Sequence, residues 1–163
     1  MGYLAMGGGF AAGLVSFAVF AQTLTATVVM PVSIDLVSSC SVTASDLDFG
    51  SYVASTGIPG SAQSLVQLQC TSGTIVDVGL DAGQGPGATT SDRRMVSGTS
   101  QLRYGLFQDP GRNTNWGNTS GVDTLEVQIA VQNQTVTIYG NLPAQQQVPA
   151  GAYSDVITIH LYY

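Results

Sequence analysis

The chain is predicted to be all-β, an incomplete immunoglobulin-like sandwich that borrows a strand from a neighbouring copy. Three observations predict this. Residues 23–36, TLTATVVMPVSIDL, place an apolar side chain at every even position (Leu24, Ala26, Val28, Met30, Val32, Ile34 and Leu36), with mostly small or polar residues between. Successive side chains of a strand point to opposite faces, so this run is one apolar stripe roughly 40 Å long at about 3.3 Å per residue, and it must be buried in something. Downstream there is no helical periodicity of useful length, and short alternating runs are separated by turn residues every eight to twelve positions. Finally, the run Tyr153 to Tyr163 is again strand-like and ends the sequence, so a surplus strand stands in front and an open one behind. Exposed strand edges are templates for pairing with another chain, which points to exchange between copies.

Taken in order, residues 1–21 run through Leu4, Phe10, Leu14, Val15, Phe17, Val19 and Phe20 and end on small residues where a signal peptidase reads, so they are expected to be a secretory signal. The basic n-region is missing, since the first Lys or Arg is Arg93. A retained N-terminal extension and a membrane-spanning helix are the alternatives. Residues 22–37 form the candidate arm and 38–163 the sandwich domain. Candidate strands are 39–44, 47–53, 63–71, 74–82, 101–108, 124–131, 134–140 and 153–163, with 124–140 expected to be a hairpin turning at Asn133-Gln134. The breaks fall at Gly57-Ile-Pro-Gly60, Gly83-Gln-Gly-Pro-Gly87, Asp109-Pro-Gly-Arg112 and Pro149-Ala-Gly151. Seven or so strands in about 125 residues, with one cysteine pair, is how an immunoglobulin-like sandwich reads from sequence.

Composition narrows the function. Charged residues are 9% of the chain, against about a quarter in ordinary domains, which favours a β-rich extracellular module. Lysine is absent; the cations are Arg93, Arg94, Arg103 and Arg112, and the net charge is -6, so nucleic acid and anionic membrane surfaces are disfavoured partners. Cys40 and Cys70 are expected to form a disulfide in an exported chain, worth about 3 to 4 kcal/mol on the chain-entropy model. Two thiols cannot make a zinc site alone, and no cofactor is expected.

Catalysis is improbable on the same reading. His160, the lone histidine, follows Ser154 and Asp155, but alternation places it opposite Ile157, Ile159 and Leu161, as an edge or solvated side chain. The loop 83–87 lacks the Lys-Ser/Thr of a phosphate loop. Asp77, Asp81, Asp92, Asp109 and Asp123 are too scattered for a calcium loop. Trp116 is either a sugar-stacking platform or a packing residue, and Tyr104, Tyr139 and Tyr153 read as core or corner residues with locally satisfied hydroxyls.

Several landmarks then align in order: Cys40-Ser-Val, Leu47-Asp-Phe-Gly-Ser-Tyr52, Leu68-Gln-Cys70, Leu80-Asp-Ala-Gly83, Leu102-Arg-Tyr-Gly-Leu-Phe-Gln-Asp109, Trp116-Gly117, Ile138-Tyr-Gly140 and Val148-Pro-Ala-Gly-Ala-Tyr-Ser-Asp155. Over about residues 23–163 this pattern resembles the spore coat protein U domain family, which includes the pilins of archaic chaperone-usher pili. The resemblance implies a fold lacking its last strand, whose groove is filled first by a periplasmic chaperone and then, at an outer-membrane usher, by the arm of the next subunit. It further implies Leu24 to Leu36 as the donor arm, a groove edged by Val156, Ile157, Ile159 and Leu161, export through the periplasm, and a homopolymeric extracellular pilus supporting adhesion and biofilm formation. In that bacterial setting the sequons at Asn118 and Asn133 are chance matches. Pro31 departs from the scheme by removing one backbone donor from the arm. Rival readings are an arm folded into its own sheet, a monomeric or coat-associated domain of the same family, and a carbohydrate-binding tip adhesin.

Overall fold

Alternation decides the architecture. In the longest strand every even residue from Ala62 to Cys70 is buried and every odd one is exposed. The computed structural model describes residues 29–53 and 57–163, and within them the chain forms eight strands and no helix. These are β1 (Cys40–Ala44), β2 (Gly60–Cys70), β3 (Ile75–Leu80), β4 (Arg93–Ser97), β5 (Ser100–Phe107), β6 (Leu125–Gln128), β7 (Asn133–Leu142) and β8 (Ile159–Tyr162). A five-stranded antiparallel sheet runs β1-β2-β7-β5-β4, and a three-stranded one runs β6-β3-β8. Their inner faces share a core that includes Val66, Leu68, Val76, Val78, Leu80, Leu106, Ile129 and Leu142. This is the immunoglobulin-like sandwich of two sheets. The chain divides into two compact units, residues 1–35 and 36–163. In the first, residues 29–35 are exposed and carry no strand; the expected signal segment and Leu24, Ala26 and Val28 lie outside the described residues.

Four sequence expectations need correction. Residues 124–140 are not a hairpin. β6 pairs with β3, whereas β7 lies between β2 and β5 in the other sheet. Both alternating runs face one core, but from opposite sides of it. The crossing is held by Ile129, fully buried, whose N–H donates to Thr74 O at 2.9 Å, and by Cys70 N–H donating to Gln132 O at 3.0 Å. Likewise, Leu47 to Val53 form no strand but an irregular cover over β7. An added Cβ at Gly140 would lie 2.8 Å from the Phe49 ring and 3.0 Å from Leu47, so the bare backbone there lets both side chains lie flat on the sheet. β4 was not foreseen, because its two leading arginines hide an edge strand. Lastly, of the run 153–163 only 159–162 is strand. Ser154 exchanges two backbone hydrogen bonds with Val96 on the five-stranded sheet, and the chain then crosses to pair with β3.

Two side chains pin the sheets together. Trp116 is fully buried, so it packs the core and offers no platform to a sugar. Its backbone N–H donates to Leu106 O of β5 at 2.9 Å, while its indole Nε1–H donates to Val78 O of β3 at 2.7 Å. Arg93 at the start of β4 is also fully buried, and four carbonyls surround its guanidinium: Asp81 O (2.8 Å), Thr90 O (2.6 Å), Leu80 O (2.9 Å) and Trp116 O (2.7 Å). Burial pulls its pKa down, and the nearby Tyr104, Asp81, Asp155 and Asp123 push it back up. The Cys40–Cys70 disulfide fastens the start of β1 to the end of β2, where the two residues are register partners.

Removing the guanidinium leaves buried carbonyls without donors, each costing about 1 to 3 kcal/mol. Arg93→Met is therefore expected to lower the unfolding free energy by about 3 kcal/mol or more in urea titrations at pH 7, whereas Arg112→Met, on a loop, should cost about a third of that or less. Equal effects would show that Arg93 is no pin.

Candidate functional site

Because β1 ends one sheet and β8 ends the other, the sandwich is open along the side between them. An elongated cavity of about 490 Å3 lies there. Its floor is the inner face of the five-stranded sheet, with Ser64 of β2, Ile138 of β7, Tyr104 and Leu106 of β5 and Met95 of β4. One rim is the end of β1 and its continuation, Ala44 to Leu47 and Phe49; the other is Tyr153 to Ile157 with Ile159. The edge of β8 away from β3, and that of β1 away from β2, have no strand partner among the described residues. The site therefore combines an apolar trough with backbone groups free to bond, which suits an extended apolar strand.

Small residues set its depth. The inward side chains of β2 shrink from Leu68 and Val66 to Ser64 and Ala62. Ser64 is kept in place by its hydroxyl, which donates to Ser45 O, while Ser45 N–H donates to Leu65 O and extends the β1–β2 pairing past Ala44. Sequence reasoning missed Ser64, Met95 and Tyr104 as groove residues, although the small residues at the inward positions 62 and 64 were a readable sign of missing volume.

The second rim is held by two aspartates. Asp155 accepts from the Tyr104 hydroxyl at 2.7 Å and from Gln84 N–H at 2.8 Å, and Gly83 passes so close beneath its carboxylate that a Cβ would collide with it. Burial pushes the Tyr104 phenol well above its ordinary pKa and the Asp155 bond adds to this, so the hydroxyl stays a donor. The Gly83, Tyr104 and Asp155 landmarks are thus one cluster. Asp81 accepts from Thr158 N–H and Gly83 N–H, each at 3.0 Å. Burial alone would raise its pKa, but these bonds and the charge of His160 outweigh that and hold it below the usual carboxylate range. The other aspartates also do structural work: Asp77, Asp109 and Asp123 accept from loop N–H groups, and Asp92 pairs with Arg94 and Arg103.

Of the sequence-predicted edge residues, Ile157 and Ile159 line the groove, Val156 lines it but is largely exposed, and Leu161 packs against the core from β8. His160 lies on β8 and stacks on Tyr162, with ring centroids 6.2 Å apart. Among the predicted arm residues, Met30, Val32, Ile34 and Leu36 are each at least 77% exposed. Exposure of four large apolar side chains at alternate positions is unfavourable in water.

Residues 26–160 match the Spore Coat Protein U domain family. The chain belongs to that family. It is 30% identical over 162 residues to "Protein U" of Myxococcus xanthus, covering 90% of this chain and 89% of that one. Among solved structures it is similar to a chain of the CsuC-CsuE chaperone-tip adhesion subunit pre-assembly complex, from the archaic chaperone-usher Csu pili of Acinetobacter baumannii, with a TM-score of 0.57 at 22% identity. That likeness covers 78% of this chain and 40% of that one, so the protein spans less than half the length of the structure it matches.

A carboxylate whose pKa is depressed by folding contributes stability that is fully present above its unfolded value and lost as pH falls through the folded one. Stability is accordingly expected to fall as the pH drops below about 4. In Asp81→Asn, urea titrations between pH 7 and pH 3 should show lower stability at pH 7 and a shallower loss on acidification; an unchanged slope would remove Asp81 from this role.

Proposed function

We propose that the chain is a structural subunit of a chaperone-usher pilus on the cell surface, and that it polymerises by laying residues 23–36 of one copy into the open groove of the next. One observation carries this reading: an apolar trough between two unpaired strand edges, in a chain that also presents an exposed apolar segment of strand periodicity. Burying large apolar side chains contributes roughly 1.5 to 3 kcal/mol each, so the seven even positions could supply more than about 10 kcal/mol before ordering entropy is subtracted. Exchange would then reverse slowly. An arm that fits the groove of an identical neighbour is a heterologous contact, and it builds an open fibre unless it closes into a ring.

A chaperone partner follows from the same physics, since an unfilled apolar trough invites aggregation until it is covered. Support comes from the similar Csu complex, in which a subunit is paired with a chaperone before assembly. Export through the periplasm, an outer-membrane usher, adhesion and biofilm support complete the reading. Pro31 falls on the odd face of the arm, so its missing N–H interrupts the ladder without removing a side chain from the stripe.

The test separates the two faces of the arm. Val32→Asp or Ile34→Asp should abolish filaments in negative-stain images of cells, whereas Ser33→Asp, on the opposite face, should leave them in place, with all three subunits exported in similar amounts. Normal filaments from the Val32→Asp strain would show that this segment is not the donor. A soluble wild-type monomer with no filaments would favour the coat-associated alternative.

A further inference from the structure

We propose that the outer face of β1, β2 and β7 is a binding site for a neutral, polyhydroxylated ligand, a stretch of uncharged polysaccharide. The site is separate from the groove between the sheets and does not depend on the polymer reading. A shallow cleft of about 370 Å3 lies on this face, lined by Ser41 and Thr43, Gln67 and Gln69, and Asn133 and Thr135. Register explains why they meet. Ser41 is opposite Gln69 and Gln69 opposite Asn133; Thr43 is opposite Gln67 and Gln67 opposite Thr135. Two parallel rows of three side chains therefore cross three strands about 4.8 Å apart, with the rows one two-residue repeat apart.

None of these six side chains takes part in a hydrogen bond among the described residues. Two hydroxyls, one on Ser and one on Thr, stand on β1, a third on β7, and three carboxamides stand on β2 and β7, each able to donate and accept. The chain has ten acidic residues and four arginines, yet none of them lines this cleft. An anionic or cationic ligand would thus find no counter-charge. An apolar peptide would find little to cover, because the lining Leu68 is buried beneath the sheet. A second copy fits poorly as well, since two concave faces meeting leave a void and bring together two chains of net charge -6. A glycan chain matches, since every hydroxyl both donates and accepts. Leu65, half exposed on the same face beside Gln67, adds an apolar ledge for the C–H face of a sugar ring.

Native affinity electrophoresis of the full chain tests this, in gels containing dextran, laminarin or mannan, and in gels containing the anionic alginate, with mobilities referred to a glycan-free gel. Retardation is expected in at least one neutral gel and weaker or absent in alginate. Gln67→Glu with Gln69→Glu, and Thr43→Val with Thr135→Val, should each raise the apparent Kd at least tenfold while circular dichroism stays unchanged. Several outcomes would overturn the proposal: no retardation in any neutral gel, stronger retention by alginate, or undiminished retardation of both folded double variants. Sedimentation showing a dimer that these same variants abolish would assign the face to a second copy instead.

Discussion

The structure depends on one buried cation. Arg93 sits where β4 approaches the loop after β3, and its guanidinium is the hydrogen-bond partner of four carbonyls from three segments of the chain. A buried charge is costly unless its donors are satisfied, and here they are satisfied by backbone rather than by a carboxylate. That arrangement has a geometric consequence. Carbonyls of Leu80 and Asp81 belong to the end of the three-stranded sheet, whereas Arg93 belongs to the five-stranded one, so the separation of the two layers is fixed from within the core. Trp116, whose carbonyl accepts from Arg93, does the same work beside it, donating to β3 through its ring and to β5 through its backbone.

The layers are held apart beside the groove itself, since Arg93 is the register partner of Tyr104 and lies two residues from Met95, both of which line it, and so this flank can stay open without the fold collapsing. The open flank is where β1 and β8 stand, one in each sheet. An ordinary sandwich closes this gap with a further strand, and the core residues here leave volume for one: Ser64 and Ala62 stand where the inward stripe of β2 elsewhere carries Val66 and Leu68. The rim made by Tyr153 to Ile159 is tied down by side chains rather than by a ladder, through Asp155 to Tyr104 and Gln84, and through Asp81 to Thr158. This lets the crossing segment keep its shape although strand pairing resumes only at Ile159.

The parts of this fold that rest on period-two alternation were readable from the sequence. β2, β3, β5 and β7 are seen within a few residues of their bounds, because each has one face in the core and alternates accordingly. Elements whose formation depends on distant partners were not readable. β4 begins Arg93-Arg94, which reads as a solvated turn until one sees the carbonyl cage that neither residue announces. The segment Leu47 to Tyr52 alternates like a strand but lies across Gly140 as a cover, because its apolar side chains pack down onto β7, an inner strand already paired on both sides. Asn133 and Gln134, expected as the turn, are the first residues of β7 and pair with β2; periodicity says only that a run has a buried face, never which sheet it joins, so β6 and β7 read as a hairpin although they lie in different sheets. For the site, Ile157 and Ile159 of the second rim were legible as a stripe, whereas the depth of the floor was not, since it is set by the small residue Ser64.

An open apolar groove and an exposed apolar segment are hazards in any protein, and the charge and polarity of the surrounding surface limit unwanted contacts between copies. The chain carries a net charge of -6 and no lysine, so copies repel at long range except where the charge is locally absent. Its outer sheet face is amide and hydroxyl, which hydrates well and gives another sheet little apolar surface to stack on. Three of the four arginines are engaged with carbonyls or Asp92 close to the backbone they stabilise, and the fourth, Arg112, donates to Pro110 O in its own loop and to Gly140 O of β7. With cations withdrawn in this way and anions spread over loop ends, the energetic contrast between the groove and everything else is large. In the proposed exchange, specific pairing of one arm with one groove would need that contrast more than it needs a strong groove.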